Sequence, residues 1–349
     1  MASNVNLKNK DNRKVFIIWD IVMIRALIVG LGWWGKTLVD SVQNHSKKIE
    51  IRYGITRTNS IETQNYARTN GITLLKKTYS EAVKQKDIDA VILATPHSQH
   101  SKQIEIAAAS GKHIACEKPF TLNRNDALLA VEAVERNNVT LSILYNRRYN
   151  PAIIEIQNLL KSKKLGTIIH VESNFSGDTA FRADRNESSW RVNPDESPLG
   201  SMTNRGLHCV DTLVSFCGEI KSVFVTSSNR VLTKLDDTTS CILWFKNGIT
   251  GYVGTSNVTT PFWWLKIFGS ESTIEMRNYD TLVLHERNQK PQIQTYSEIN
   301  IEKAELEAFC DNITNGIMFS IPKNQMINVS SFLDASIKSS NSKKIVDLD

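Results

Sequence analysis

The sequence predicts an α/β protein in two parts: a doubly wound parallel sheet, then an α+β portion built on a mostly antiparallel sheet with one wetter face. Three observations predict this. From Ile24 to Leu144, short apolar, β-branched runs alternate with segments of helical spacing. After about Asn150 the rhythm changes to strands that alternate apolar and polar residues. The length, 349 residues, suggests about two domains. The parts divide as residues 23–147 and 148–349, after a loose leading extension of residues 1–22.

That extension carries Lys8, Lys10, Arg13 and Lys14 ahead of an apolar run from Val15 to Trp19. Asp20 interrupts the run and no small-residue cleavage site follows, so it does not read as a secretory signal. No stretch of 18 apolar residues is free of charge, so no membrane helix is expected. Hydrophobic residues at 41% and charged residues at 22% exclude a disordered chain, a collagen-like repeat and a disulfide scaffold. The net charge of +6 (42 basic against 36 acidic residues) hints at anionic ligands. No basic block alternates with aromatics, so a nucleic-acid partner is not expected. Cys116, Cys209, Cys217, Cys241 and Cys310 are odd in number and lack C-x-x-C spacing, which suits reduced thiols in a cytoplasmic protein.

Taken in order, Ile24–Val29 is a buried strand. It runs into Gly30-Leu31-Gly32-Trp33-Trp34-Gly35, a G-x-G-x-x-G that opens the helix Trp34–Val42. Strand, glycine loop and helix together form the context for dinucleotide binding. Gly30 makes the turn, Gly32 admits a pyrophosphate, and Gly35 lets helix and strand pack. The next strand, Ile49–Ile55, ends in Thr56-Arg57, with no Asp or Glu for a ribose 2′-hydroxyl. A hydroxyl and a guanidinium suit a 2′-phosphate, which favours NADP, with NAD as the alternative.

A helix over Ile61–Asn70 stops at Gly71. The strand Ala90–Ala94 closes on Thr95-Pro96-His97-Ser98-Gln99-His100, and the strand His113–Cys116 closes on Glu117-Lys118-Pro119. Helices Ser98–Ser110 and Asn125–Arg136 flank them. Both closures lie at carboxyl ends of parallel strands, where open α/β sheets bind ligands. The Lys118 ammonium suits donation to a substrate hydroxyl. The strand Val139–Leu144 leads to Asn146-Arg147-Arg148, which places Asn146 and Arg147 beside the cofactor or substrate.

The second part starts with a helix, Pro151–Leu160. Strands follow near Thr167–Asn174, Ser222–Ser227, Thr239–Phe245, Thr250–Ser256, Trp264–Phe268 and Thr273–Met276, then helices Ile301–Ile313 and Lys323–Ser339. Trp190-Arg191 offers a stacking face and a guanidinium for a sugar. Asn204 and His208 are four apart, so a helix sets them on one face, and His208 suits proton transfer near neutral pH. Asp236-Asp237 reads as a turn, and no metal site is expected.

These motifs resemble the glucose–fructose oxidoreductase / inositol dehydrogenase (Gfo/Idh/MocA) family. The resemblance runs from about Ile24 to the C-terminus. It rests on Gly30 to Gly35, Thr95-Pro96 with His100, Glu117-Lys118-Pro119, Asn146-Arg147-Arg148, Gly206-Leu207-His208 with Asp211, and Asp236-Asp237-Thr238. It implies a Rossmann domain, then an open-faced sheet often used for homo-oligomer contacts, with a cis peptide bond before Pro119. It also implies Lys118 as catalytic lysine and His208 as catalytic histidine. Many members carry Asp where this chain has Asn204, an amide that orients a hydroxyl but takes no proton. The expected activity is hydride transfer between a sugar, inositol or related polyol hydroxyl and NADP or NAD. The cofactor is expected on Gly30, Gly32, Trp33, Trp34, Gly35, Thr56, Arg57, Thr95, Pro96, His97, His100, Glu117, Lys118 and Asn146. The substrate is expected on Arg147, Trp190, Arg191, Asn204 and His208. Two alternatives are a non-redox, glycosidase-like enzyme of the same family with a transient cofactor, and a catalytically weak NADP(H) sensor.

Overall fold

The computed structural model describes residues 23–57, 59–182, 189–232, 234–316 and 321–348. The expected leading extension of residues 1–22 lies outside the described residues.

The first part contains β1 (Ile24–Val29), α1 (Trp33–Val42), β2 (Ile49–Ile55), α2 (Ile61–Thr69), β3 (Thr73–Leu74), α3 (Tyr79–Ala82), β4 (Ala90–Leu93), α4 (His100–Ala109), β5 (His113–Glu117), α5 (Arg124–Arg136) and β6 (Leu141–Leu144). Its six strands lie in the order β3-β2-β1-β4-β5-β6, all parallel. Helices cover both faces, so β4 and β6 are buried at every residue and read as unbroken apolar runs. The order reverses between β1 and β4, which opens a crevice at their carboxyl ends.

The second part contains α6 (Pro151–Lys161), β7 (Ile168–Ser176), α7 (Leu207–Cys217), β8 (Ile220–Ser228), β9 (Thr238–Phe245), β10 (Thr250–Ser256), β11 (Phe262–Gly269), β12 (Ser272–Arg277), β13 (Thr281–Glu286), β14 (Gln292–Thr295), α8 (Ile301–Asn315), α9 (Lys323–Ser342) and β15 (Val346–Asp347). Nine strands form the sheet β14-β13-β12-β11-β7-β10-β9-β8-β15, in which β7 and β10 are a parallel pair and every other neighbour is antiparallel. Strand alternation sends Thr239, Cys241, Leu243 and Phe245 inward. Helices α7 and α9 pack on that inner face.

The other face is open. Register sets Phe224, Ile242, Tyr252, Glu172, Lys266 and Glu275 in one row across six strands. Trp263, on β11, is fully buried. Helix α8 returns to the first part and packs against α1, β5 and β6, while α9 packs against α5.

Two local features differ from expectation. The short strands β3, β13, β14 and β15 were not expected; all are edge or near-edge strands. The segment Met202–Gly206, expected as α-helix, is a π-helical turn that runs directly into α7. All five cysteines are free and buried.

Candidate active site

The glycine loop is built as its spacing predicts. Gly30 has φ +98°, and a Cβ there would meet Ala94 O at 2.5 Å. A Cβ on Gly35 would lie 1.9 Å from Gly30 O. Both glycines are therefore demanded by the protein's own backbone. Gly32 differs, because a Cβ on it would meet nothing within 4 Å. The space outside Gly32 is open, and α1 begins there without a side-chain cap or an acidic residue in its first turn. Unpaired N–H groups and a bare turn suit a pyrophosphate.

A cavity of about 440 Å³ runs from Gly30 and Gly32 to Thr56 and Arg57, where Lys77 and Thr78 close its far end. The residues present thus fit a dinucleotide. Lys77 escaped the sequence reading because β3 and its loop bring it there from outside any motif.

A second cleft, about 280 Å³, adjoins the first and shares Ala94, Thr95, Trp190 and Arg191 with it. Lys118 and His208 both line it, as do Asn146, Arg147 and Asn204. Lys118 follows β5 and precedes a cis bond to Pro119. Its Nζ donates to Asn204 O at 2.7 Å and Thr203 O at 3.4 Å. The π turn explains this contact. Leu207 N–H reaches back to Met202 O, so the Thr203 carbonyl that a regular α-turn would give to Leu207 receives the ammonium instead.

His208 lies edge-on to Tyr145 and Phe175, with ring centroids at 6.1 and 5.9 Å. Among the described residues its buried Nδ1 has no hydrogen-bond partner, so Nε2 is the nitrogen turned to the cleft. Burial, reinforced by the charges of Lys118, Arg147 and Arg205, holds the imidazole well below its ordinary pKa. The ring is neutral near pH 7 and so able to take a proton.

Glu117 is buried and accepts from Trp34 Nε1 and from Lys118 N. Burial raises its carboxyl to about 7, against the opposing pull of Trp34 and Lys118. It braces the indole at the start of α1. Asn146 donates to Glu302 Oε1 at 2.8 Å. Arg148 forms a buried bidentate pair with Asp211, which ties the turn carrying Asn146 and Arg147 to α7.

Several expected residues sit elsewhere than the sequence suggested. His100 lines neither cavity; it is fully buried, with Nδ1 at 2.8 Å from Pro119 O and Nε2 at 3.2 Å from Thr95 O. It ties the two strand-end turns together. His97 does line the cleft, its ring edge-on to Trp190 at 4.8 Å and its Nδ1 bonded to Glu196 O. Trp190 and Arg191, expected at the substrate, lie where the two cavities meet. Pro96 faces the dinucleotide cavity, while Trp33, 46% exposed, stacks under Arg182 at 4.4 Å.

Sequence reasoning missed Phe175, Arg182, Arg205 and Tyr279, all of which line the cleft. Arg205, next to Asn204 in a segment already singled out, was open to inference. Tyr279 comes from the β12–β13 turn and had no signal. Asp237, expected in a turn, accepts backbone N–H bonds from Arg230, Val231 and Leu232. Among the described residues no group of three or more His, Cys, Asp or Glu is placed to hold a metal ion.

A parallel sheet with a glycine loop, joined at a cleft to an open-faced sheet, defines an NAD(P)-binding protein of the oxidoreductase class. Two family models match the chain: the oxidoreductase family with an NAD-binding Rossmann fold over residues 24–145, and the GFO/IDH/MocA C-terminal domain over residues 153–275. The chain belongs to the Gfo/Idh/MocA family.

It is 32% identical to the oxidoreductase P35 of Formosa agariphila over 206 residues, 58% of this chain and 63% of that protein. It is 24% identical to a D-xylose 1-dehydrogenase (NADP(+)) of Haloferax volcanii over 286 residues, 80% of this chain and 86% of that protein. Among solved structures, a levoglucosan dehydrogenase in complex with NADH and L-sorbose superposes with a TM-score of 0.84 at 20% identity, over 94% of this chain and 99% of that one.

Proposed function

We propose that this chain is an NAD(P)-dependent dehydrogenase that oxidises, or in reverse reduces, a CH–OH carbon of a sugar or related polyol. The observation that carries the reading is the meeting of Lys118 and a neutral His208 in one cleft that adjoins the dinucleotide cavity. The D-xylose relative supports the substrate class, as does a D-apiose dehydrogenase of Paraburkholderia graminis, 26% identical over 226 residues.

The loop Gly30–Gly35 and the start of α1 hold the pyrophosphate. When bound, the nicotinamide supplies the hydride acceptor or donor. Lys118 turns its ammonium from the Asn204 and Thr203 carbonyls to the substrate hydroxyl and lowers the cost of a developing alkoxide. His208 takes the hydroxyl proton at Nε2. The Asn204 amide orients the hydroxyl without accepting its proton. Trp34, held by Glu117, walls the site against water.

The cofactor we favour is NADP. Thr56 and Arg57 line the far end of the dinucleotide cavity together with Lys77, a cationic setting for a 2′-phosphate.

The open sheet face, with Ile242 46% exposed and Tyr252 beside it in register, supports pairing with a second copy. Ile242→Glu is then expected to shift the assembly toward monomer by light scattering. The buried free thiols support the cytoplasmic location expected from sequence. Among the described residues no helix is long and apolar enough to cross a membrane.

The test is a panel of aldoses, inositols and their keto forms, with NADP and NAD, read by absorbance of the reduced nicotinamide. Lys118→Met is expected to bind cofactor normally and to lose about 10²–10⁴-fold in kcat. Unchanged turnover in that variant removes Lys118 from the chemistry. No turnover with any panel member removes the dehydrogenase reading.

A further inference from the structure

The cleft is more cationic than a neutral sugar requires. Among the described residues Lys118, Arg147, Arg182, Arg191 and Arg205 line it, against the carboxyl of Glu117. Two of the arginines belong to the cofactor's end: Arg182 stacks on Trp33 of the glycine loop, and Arg191 also lines the dinucleotide cavity. Arg147 and Arg205 do not line that cavity. Both lie against the Phe175 ring, at 5.5 and 4.8 Å, and both bear on His208.

Arg147 is caged by Phe175, Trp263 and Tyr279 and makes no side-chain hydrogen bond or salt bridge among the described residues; its Nε is sealed without a partner. Glu302 and Glu305 stand near Arg147 without a salt bridge to it; Glu302 accepts from Asn146, and burial pushes the Glu305 carboxyl well above the usual carboxylate range. Among the described residues Arg205 makes one long side-chain bond, Nε to Thr179 Oγ1 at 3.5 Å, and Asp178 stands near it without forming a salt bridge. A buried guanidinium whose acidic neighbours form no salt bridge with it is costly, and a planar guanidinium pair is shaped for a carboxylate. Position 204, at the same wall, is an amide and adds no negative charge.

We infer that the substrate is a sugar acid, a uronate or aldonate of monosaccharide size, whose carboxylate is held between Arg147 and Arg205 while Lys118 and His208 face the reacting hydroxyl. This inference rests on the dehydrogenase reading for the hydroxyl, and on the two arginines alone for the carboxylate.

The experiment measures binding and turnover separately, on the full chain loaded with NADP. Titration calorimetry compares sodium D-glucuronate and D-galactonate with D-glucose, D-xylose and D-glucose 6-phosphate. The expected result is at least a tenfold preference for the carboxylates over the neutral sugars. Arg205→Gln is expected to cut that preference roughly ten- to hundredfold without changing NADP affinity, which also reports that the variant is folded. Asn204→Asp, nearly isosteric, is expected to weaken the carboxylates more than the neutral sugars, by repulsion.

Equal affinity for acids and neutral sugars overturns the inference, as does tighter binding of the phosphate or an Arg205→Gln loss shared equally by both classes. Selective acid binding without turnover of any sugar supports the carboxylate site and sinks the dehydrogenase reading. Turnover of neutral sugars with no acid preference sinks the carboxylate site alone.

Discussion

Removing the Arg148 guanidinium tests whether one buried ion pair holds the two halves of the active site together. Arg148 Nε donates to Asp211 Oδ2 at 2.8 Å and Nη2 to Oδ1 at 2.7 Å, while Nη1 reaches Gln325 Oε1 at 2.9 Å. Both side chains are 1% exposed. Arg148 follows Arg147, and Asp211 lies one helical turn beyond His208, so the pair clamps the strand-end turn to the helix bearing the imidazole. Arg148→Met leaves a carboxylate sealed without its cation, a loss of about 3–5 kcal/mol. At about 2–4 °C per kcal/mol for a domain of this size, the melting midpoint falls by roughly 6–20 °C. Protonating Asp211 relieves the isolated charge, so the loss is smallest at low pH and grows as pH rises. Pairing Arg148→Met with Asp211→Leu removes both charges and is expected to recover most of the stability, since apolar replacement of a buried pair is often neutral or better. Thermal melts followed by circular dichroism at several pH values give both numbers. The reasoning is refuted if the single variant loses under about 1 kcal/mol, or if the double variant loses the sum of the two singles.

The glycines separate packing from ligand binding: Gly35→Ala sets a Cβ against Gly30 O and should lower the melting midpoint, whereas Gly32→Ala meets no protein atom and should leave it unchanged while weakening NADP binding by calorimetry. A melt of Gly32→Ala that falls as far as Gly35→Ala would contradict this. Glu117 holds its proton in the folded state up to about 7, against an ordinary 4.5, so its burial subtracts stability progressively as pH rises through that window. Glu117→Gln keeps an acceptor for Trp34 and should flatten that decline in denaturant titrations; an unchanged pH slope would show that Glu117 does not carry it.

The parts of this fold that could be read in advance are those whose determinants are local. Strands buried on both faces write unbroken apolar runs, so β1, β4, β5 and β6 are visible as text. The glycine loop is visible because two of its glycines answer to backbone clashes within or beside the motif. Lys118 and His208 are visible because one follows the end of β5 and the other lies in the first turn of α7, each inside a motif of its own segment. What was not visible depends on docking. Strands β3 and β15 are two residues each and exist through their neighbours. A histidine at a strand end looks the same whether it faces a ligand or joins two loops; for His100 the two carbonyl partners decide, and one of them lies 19 residues away. The π turn at Met202–Gly206 has ordinary helical composition, and it becomes legible only once the Lys118 ammonium is seen to take a carbonyl that an α-turn would use.

On the proposed reading the same cations would link binding to proton transfer. The sequence shows a modest excess of positive charge; the fold concentrates it around His208, where Lys118, Arg147 and Arg205 join burial in depressing the imidazole. That depression keeps the ring unprotonated and ready before substrate arrives. On the proposed reading, an anion seated on Arg147 and Arg205 would offset two of the three charges that join burial in depressing the imidazole, and so would raise the ring's proton affinity as its hydroxyl proton is taken. A neutral sugar leaves those charges uncompensated and the ring a weaker base. The arginines would then select an acidic substrate twice over, through its affinity and through the basicity it restores to His208.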